Sequence, residues 1–286
     1  MTAVNPTATL LISCPDRRGL VAKFANFIYE NHGNIIHADQ HTDFAAGLFL
    51  TRIEWQLEGF RLPREEIAPA FQALAEPLQA NWQLHFSDTC KRIAIWVSRQ
   101  DHCLLDLLWR QKSKEISAEI PLMISNHPNL EPIAEQYGID FHHIPITKEN
   151  KLEQEVKQLE LLKQYNINLV ILAKYMQVLS TGFLKNFPQI INIHHSFLPA
   201  FVGANPYERA YERGVKIIGA TAHYITSDLD AGPIIEQDVV RVSHRDEVSD
   251  LIRKGKDLER IVLARAVRLH LQNRVLVYGN RTVVFA

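Results

Sequence analysis

The residues best suited to catalysis lie between positions 192 and 230. Asn192 and His194 stand two apart at the end of an apolar run, so on an extended strand their side chains point the same way. A neutral amide beside an imidazole can stabilise negative charge that grows on a carbonyl oxygen. Asp230 follows a later apolar stretch, and a carboxylate near a histidine can orient it, raise its pKa or position a water. We predict that Asn192, His194 and Asp230 form one reaction centre. The alternative is that the Asn and His only satisfy backbone groups at a strand end.

Four features in this stretch carry a family resemblance. In order they are Asn192-x-His194, the tail Ser196-x-Leu198-Pro199, a further histidine at His223, and Asp230-Ala231-Gly232. Together they resemble the folate-dependent formyltransferase family, and the resemblance covers essentially the whole chain. It implies that Asn192 and His194 contact the formyl oxygen, that Asp230 activates the nucleophile, and that His223 orients Asp230.

The stretch from Ala173 to Ser180 follows a predicted strand and supplies candidates for substrate binding. The resemblance implies a pteridine pocket there, since a flat heteroaromatic ring needs an apolar slot with few polar groups. The residues that would line it are Met176, Val178 and Leu179 on one wall and Thr226, Ser227, Asp228 and Leu229 on the other. The alternative is an ordinary helix start that packs on the core.

The turn from Ser98 to Cys103 departs from one branch of the family. The glycinamide ribonucleotide transferases have a glycine-rich turn there that wraps a phosphate, but this chain has no glycine and carries Asp101. A phosphorylated acceptor is therefore not expected, and if no other acceptor binds, water is the remaining nucleophile. The resemblance then implies the hydrolytic branch, which converts 10-formyltetrahydrofolate to formate and tetrahydrofolate, balances one-carbon pools and supplies formate for purine biosynthesis. Two alternatives stay open: transfer of the formyl group to a non-phosphorylated amine, and a catalytically inactive folate sensor under amino-acid control.

The sequence pattern of residues 1–88 predicts a separate module. Alternating and helical patterns give the order β-α-β-β-α-β, which is typical of a ferredoxin-like fold. Asp16-x-x-Gly19-Leu20 resembles the start of an ACT domain and implies an amino-acid effector near Asp16, Gly19 and Leu20. The alternative is that Asp16 only caps the following helix. An exposed apolar face of this sheet would make a homo-oligomer.

Residues 89–286 predict a Rossmann-like α/β domain. Continuously apolar strands alternate with helices, which favours a mostly parallel sheet covered on both faces. Ser243-x-x-Asp246 resembles a capping box for a long helix that runs through Leu271. Gly279-Asn280 predicts the turn of a terminal hairpin.

Composition limits the classes of partner and compartment. The chain has 286 residues, 47% of them hydrophobic, and a net charge of −1 from 31 basic and 32 acidic residues. We therefore expect neither nucleic acid nor a membrane surface as a partner. Cys14, Cys90 and Cys103 are sparse and suit a reducing compartment, and the N-terminal segment lacks a secretion pattern. A cytoplasmic protein is expected.

The paired histidines raise the possibility of a metal. Adjacent residues on a strand point to opposite faces, so neither His142-His143 nor His194-His195 is expected to chelate one ion. We predict no metal and no cofactor, with 10-formyltetrahydrofolate as the substrate. The sequence assigns no role to His102 or His195, and Cys103 is expected to pack as a small apolar residue.

Overall fold

The computed structural model describes residues 5–199 and 206–285, which form two compact units. The ferredoxin-like unit comprises residues 1–90 and 272–286, and the parallel-sheet unit comprises residues 91–271. Residues 1–4, on which the expected absence of a secretion pattern partly depends, lie outside the described residues.

The ferredoxin-like unit has a four-stranded antiparallel sheet in the order β2-β3-β1-β4. Its apolar side chains from one sheet face, among them Leu10, Ile12 and Trp55, pack against the helices through Phe24 and Phe71. The elements are β1 (Thr7–Pro15), α1 (Leu20–Glu30), β2 (Asn34–Asp43), β3 (Leu48–Gln56), α2 (Arg64–Ala75) and β4 (Asn81–Phe86). The predicted β-α-β-β-α-β order is confirmed.

The C-terminal hairpin belongs to this same unit. Its strands are β12 (Val275–Tyr278) and β13 (Arg281–Val284), joined by the predicted Gly279-Asn280 turn. Leu276 and Phe285 pack with Leu11 and Leu50, and so cover part of the sheet face that was expected to be exposed. The sequence pattern assigns the hairpin to the second domain, residues 89–286, because it comes last in the chain. Apolar contacts, not chain order, decide which unit a segment joins.

The parallel-sheet unit has seven strands in the order β11-β10-β9-β8-β5-β6-β7. Strands β7, β6, β5, β8 and β9 pair in parallel, and β10 pairs antiparallel with both β9 and β11. The strands are β5 (Lys91–Val97), β6 (Ala118–Ser125), β7 (Asp140–His143), β8 (Leu169–Leu172), β9 (Ile190–His194), β10 (Ile217–Tyr224) and β11 (Ile234–Arg241). The helices are α3 (His102–Lys112), α4 (Glu131–Tyr137), α5 (Lys151–Gln164), α6 (Thr181–Asn186), α7 (Pro206–Arg213) and α8 (Val248–Leu271). A mostly parallel α/β sheet is confirmed.

The predicted start of the long helix is wrong, and the alternative that Asp16 caps α1 is removed. The backbone N–H of Ser243 does donate to the Asp246 carboxylate, over 2.6 Å, but α8 begins only at Val248, so this pair closes a turn ahead of the helix. Asp16 does not cap α1, because the capping position is Gly19 with a left-handed φ of 85°. Glycine adopts that conformation without steric cost.

Across residues 5–199 and 206–285, no helix combines the length and the apolar character needed to cross a membrane.

Candidate active site

Strand pairing brings the predicted catalytic residues together. Asn192 and His194 lie on β9, and β10 runs antiparallel beside it so that His223 is directly opposite Asn192. Side chains of directly opposed residues on one sheet face are within contact distance. A register shift between Ala222 and His223, on the side facing β11, marks an irregularity at this point of the strand. The sheet register therefore fixes three of the four predicted residues.

Asp230 completes the group by binding His194. Its Oδ1 atom lies 3.3 Å from Nδ1 of His194, and the two side chains are only 14% and 7% exposed. The hydrogen bond from His194 lowers the pKa of the Asp230 carboxyl, against the opposing effect of burial. Nδ1 of His194 donates in this bond. Its Nε2 is buried and has no hydrogen-bond partner among the described residues, so it is available to a bound molecule.

His223 lies closer to Asn192 than to Asp230. Its Nδ1 donates to the backbone carbonyl of Tyr224 over 2.8 Å, and its Nε2 is 3.4 Å from Nδ2 of Asn192 and 3.8 Å from Asp230. Burial lowers the pKa of His223, which favours the neutral ring. A neutral ring that donates through Nδ1 must accept at Nε2. The amide of Asn192 is the donor there, so the geometry favours orientation of Asn192 over the expected orientation of Asp230.

The loop after β10 holds Asp230 in an uncommon conformation. Asp230 has a left-handed φ of 54°. Two residues later the chain passes so close to β10 that a Cβ on Gly232 would lie 1.8 Å from the carbonyl oxygen of Tyr224. Only glycine permits that approach. The loop therefore sets where the Asp230 carboxylate points.

Substitution of Gly232 by alanine should displace this loop. We expect Gly232→Ala to lower catalytic activity at least tenfold and the stability of the folded protein by about 1–3 kcal/mol, because the added methyl group overlaps the Tyr224 carbonyl. Steady-state kinetics and thermal denaturation measure the two effects. Gly182→Ala is the matched control, since its Cβ would meet only the Ser180 hydroxyl at 3.6 Å. Equal activity in the two variants would contradict the role assigned to the loop.

The four residues open onto one cavity of about 310 Å³. All seven predicted substrate-binding residues line it, namely Met176, Val178, Leu179, Thr226, Ser227, Asp228 and Leu229. Leu179 is buried, whereas Met176 and Leu229 are 67% and 64% exposed. The segment from 173 to 180 is not helical, which removes the alternative of a helix start; α6 begins after it, capped by the hydroxyl of Ser180. Apolar side chains at the mouth suit a flat ring system.

His195 lies against His194, contrary to the expectation that adjacent residues face opposite sides. The rings stack with centroids 4.4 Å apart and planes inclined by 30°. The strand ends at His194, so the alternation of a regular strand no longer applies to the next residue. Burial, assisted by the charge of Lys174, lowers the pKa of His195 to about 4. His195 is therefore a neutral ring beside the reaction centre.

A second polar group beside the cavity was missed in the sequence. Glu259 on α8 is 1% exposed, and its Oε2 accepts from Nε2 of His102 over 2.7 Å. Its Oε1 accepts from Nζ of Lys174 over 3.2 Å and from the hydroxyl of Tyr207 over 3.1 Å. We call the group His102, Lys174, Tyr207 and Glu259 the switch-point cluster. The signal that could have found it is a glutamate on the buried, otherwise apolar stripe of α8, together with Gly255 one turn earlier.

Two residues of this cluster, together with Cys103, have the composition of a metal site. Ligand atoms of His102, Cys103 and Glu259 lie within 4.8 Å of one another. The ammonium group of Lys174 already provides a positive charge next to the Glu259 carboxylate. Burial raises the pKa of the Cys103 thiol, which disfavours the thiolate that a metal needs. The absence of a metal stays a prediction.

The cluster should contribute to acid stability. Burial alone would raise the pKa of the Glu259 carboxyl, but the hydrogen bond from His102 and the charge of Lys174 outweigh it and lower that pKa to about 2 from an ordinary value of 4.5. A carboxyl with a depressed folded pKa stabilises the protein above its unfolded pKa and loses that contribution as pH falls through the folded pKa. We expect the free energy of unfolding of the wild type to fall as the pH is lowered from about 4.5 to 2. In the double variant Lys174→Met/Glu259→Gln it should fall less steeply, because the Glu259 carboxyl is gone. Denaturation followed by circular dichroism at a series of pH values measures this free energy. The control is the double variant Lys157→Met/Glu153→Gln, which removes an exposed ion pair. Identical slopes in the two double variants would contradict the prediction.

The predicted effector residues sit at the start of α1 in the ferredoxin-like unit. Asp16 and Gly19 are exposed, and Leu20 is buried in the core. The backbone N–H of Asp16 donates to the carbonyl of Gly47 over 2.8 Å. Binding of an effector at these residues remains a prediction.

Comparison with known proteins agrees with both units. A family model described as "Formyl transferase" matches residues 91–267, and one described as "ACT domain" matches residues 8–76. A formyltetrahydrofolate deformylase of Synechocystis sp. is 72% identical over 99% of this chain and 99% of its own length.

Solved structures agree as well. A formyltetrahydrofolate deformylase from Pseudomonas syringae pv. tomato superposes with a TM-score of 0.96 at 44% identity, covering 100% of this chain and 96% of its own. Glycinamide ribonucleotide transformylase 1 from Symbiobacterium toebii superposes with a TM-score of 0.65 at 32% identity, over 71% of this chain and 98% of its own. Since full-length relatives share both units, the chain belongs to the formyltetrahydrofolate deformylase family, a group of hydrolases that joins an ACT domain to the formyl transferase fold.

Proposed function

We propose that the protein hydrolyses 10-formyltetrahydrofolate to formate and tetrahydrofolate, with water as the nucleophile. The observation that carries the proposal is the convergence of Asn192, His194 and Asp230 on one cavity, with the carboxylate bound to the imidazole. An amide, an imidazole and a carboxylate are the groups needed to bind an oxyanion and to deprotonate water. Membership of the family supports a formylated folate as the substrate.

Asn192 and His194 bind the formyl oxygen in the proposed reaction. Nδ1 of His194 is bound to Asp230, and its buried Nε2, which has no partner among the described residues, donates to the formyl oxygen in the step where the ring carries both protons. One N–H of the Asn192 amide is directed at His223, which leaves the other for the same oxygen. Both donors act where negative charge develops.

Asp230 takes the proton of the attacking water. Its Oδ1 is bound to His194, and within the described part of the chain no hydrogen bond is made to Oδ2, which leaves that oxygen for a water. Water attacks the formyl carbon, the bond from that carbon to N10 breaks, and a proton from His194 or relayed from Asp230 ends on N10. Formate and tetrahydrofolate result.

The turn after β5 supports water over a phosphorylated acceptor. No glycine occurs from Ser98 to Cys103, and the Ser98 hydroxyl is engaged with Asn126 and with the backbone N–H of Met176. Backbone groups in such a turn do not approach a phosphate closely.

Formate release in plain buffer tests the proposal. Purified protein is mixed with 10-formyltetrahydrofolate without any amine, and formate is assayed enzymatically. Enzyme-dependent release supports hydrolysis. Transfer only after an amine is added would support a formyltransferase. Amino-acid binding without any turnover would support a folate sensor.

The wider role proposed for the reaction is to balance the one-carbon pools and supply formate for purine biosynthesis, in the cytoplasm, without a cofactor. Cys14 and Cys103 are free thiols, which suits a reducing compartment. The ACT domain match supports an amino-acid effector at the ferredoxin-like unit and assembly into a homo-oligomer. Calorimetry with single amino acids and light scattering test these two points. An absence of binding heat with every amino acid would contradict the effector. A monomeric mass would contradict the homo-oligomer.

A further inference from the structure

The strand order of the parallel-sheet unit places a crevice between β5 and β8. From β5 the sheet continues through β6 and β7 on one side, and through β8 and β9 on the other. In doubly wound sheets, ligands bind outside the carboxyl ends of the strands where the order reverses in this way. His102 opens the helix after β5, and Lys174 lies two residues after β8. Both belong to the switch-point cluster.

The cluster occupies this crevice with the chain's own side chains. Glu259 bonds to His102, Lys174 and Tyr207, and is almost completely buried. Tyr207 fits only because Gly255 has no side chain, since a Cβ there would lie 2.0 Å from the tyrosine hydroxyl. Burying paired charges gains little stability over an apolar core. A role in specificity is therefore a better reason for the cluster than stability.

The cluster also borders the reaction centre. Lys174 and His195 line the same cavity as Asn192, His194 and Asp230. The Tyr207 ring lies 6.4 Å from His195, which stacks on His194. The cavity of about 310 Å³ is near the lower limit of roughly 300 Å³ for small-molecule sites. That volume suits the reacting end of one folate and a water.

We infer that the switch-point cluster is the specificity determinant that keeps amine nucleophiles out and leaves water as the only reactant with access to the formyl carbon. This inference rests on the proposed hydrolysis. Lys174 is the decisive residue, because it lines the cavity and its buried ammonium group binds Glu259. With the crevice open, an amine nitrogen bonds to the formyl carbon, the bond from that carbon to N10 breaks, and the proton lost by the amine ends on N10.

Removal of the lysine side chain tests the inference. Lys174 has a left-handed φ of 65°, which glycine and asparagine tolerate best, so these substitutions suit the backbone. Glu259→Gln accompanies each, because a buried carboxylate without its lysine would be destabilising. Lys174→Gly/Glu259→Gln opens the crevice fully, and Lys174→Asn/Glu259→Gln opens it in part. Lys157→Asn/Glu153→Gln, on an exposed ion pair of α5, is the matched control.

The probe is glycinamide, a small primary amine. Each protein is given 10-formyltetrahydrofolate with and without glycinamide, and formate and formylglycinamide are quantified by mass spectrometry. We expect the ratio of formylglycinamide to formate to rise at least tenfold in Lys174→Gly/Glu259→Gln, less in Lys174→Asn/Glu259→Gln, and not at all in the control.

Other outcomes overturn the inference. An unchanged ratio in folded variants that still release formate would show that the cluster does not exclude amines. Loss of both products from folded variants would assign the cluster to the chemical step instead. If Lys174→Gly/Glu259→Gln does not fold, the product ratio of Lys174→Asn/Glu259→Gln alone tests the inference. Failure of the wild type to release formate without amine would refute the proposed hydrolysis, which is a separate result.

Discussion

Asp230→Asn is expected to lower the rate of formate release by roughly 100- to 10,000-fold, because the amide cannot take the proton of the attacking water. The substitution keeps the shape of the side chain. Asparagine also tolerates the left-handed φ of 54° at this position, so the loop should keep its conformation. Steady-state formate release and circular dichroism measure the two expectations.

A carboxylate elsewhere on the same unit provides the control for Asp230. Asp257→Asn removes an exposed carboxylate on α8 that pairs with Arg260, and should leave the rate unchanged. Alanine at position 230 would be less informative, since a residue with a Cβ and no polar group is strained at positive φ. Near-normal turnover in Asp230→Asn would remove this residue from the mechanism.

Asn192→Ala is expected to lower kcat by roughly 100- to 1,000-fold, with little change in the affinity for folate, because a donor to the developing oxyanion is lost. The side chain lies opposite His223 in the sheet, so truncation leaves the strand pairing intact. Rapid-quench kinetics gives kcat, and fluorescence titration with tetrahydrofolate gives the affinity.

Asn186→Ala is the matched control for Asn192. Its amide donates to the Gly182 carbonyl within α6, away from the cavity lining. A fall in folate affinity without a fall in kcat in Asn192→Ala would assign the residue to ground-state binding. It would then leave His194 as the main donor to the oxyanion.

The sequence predicted that Asn192, His194 and Asp230 lie together because these residues follow strands. Asn192 and His194 are two apart on one strand, and spacing alone places them on one face. The approach of Asp230 to His194 depends on a loop that turns at Gly232, and the resemblance to a family supplied that link. The partnership of Asn192 with His223 follows from antiparallel register, which sequence alone does not determine.

The switch-point cluster could not be predicted because its parts come from distant segments. His102, Lys174 and Glu259 lie in widely separated parts of the sequence, and nothing local marks them as partners. The same holds for the terminal hairpin. Local signals predicted its turn, but its packing against Leu11 and Leu50 depends on long-range contacts. Local periodicity is informative about elements, and tertiary packing determines which residues meet.

Isotope incorporation tests the central claim that this site activates water. Wild-type protein and Asp230→Asn are mixed with 10-formyltetrahydrofolate in ¹⁸O-labelled water without any amine, and the formate is analysed by mass spectrometry. We predict rapid release of formate that carries an oxygen atom from the solvent, at a rate proportional to wild-type protein and reduced to background in Asp230→Asn. Absence of labelled formate above background with wild type, or equal release by both proteins, would contradict hydrolysis at this site.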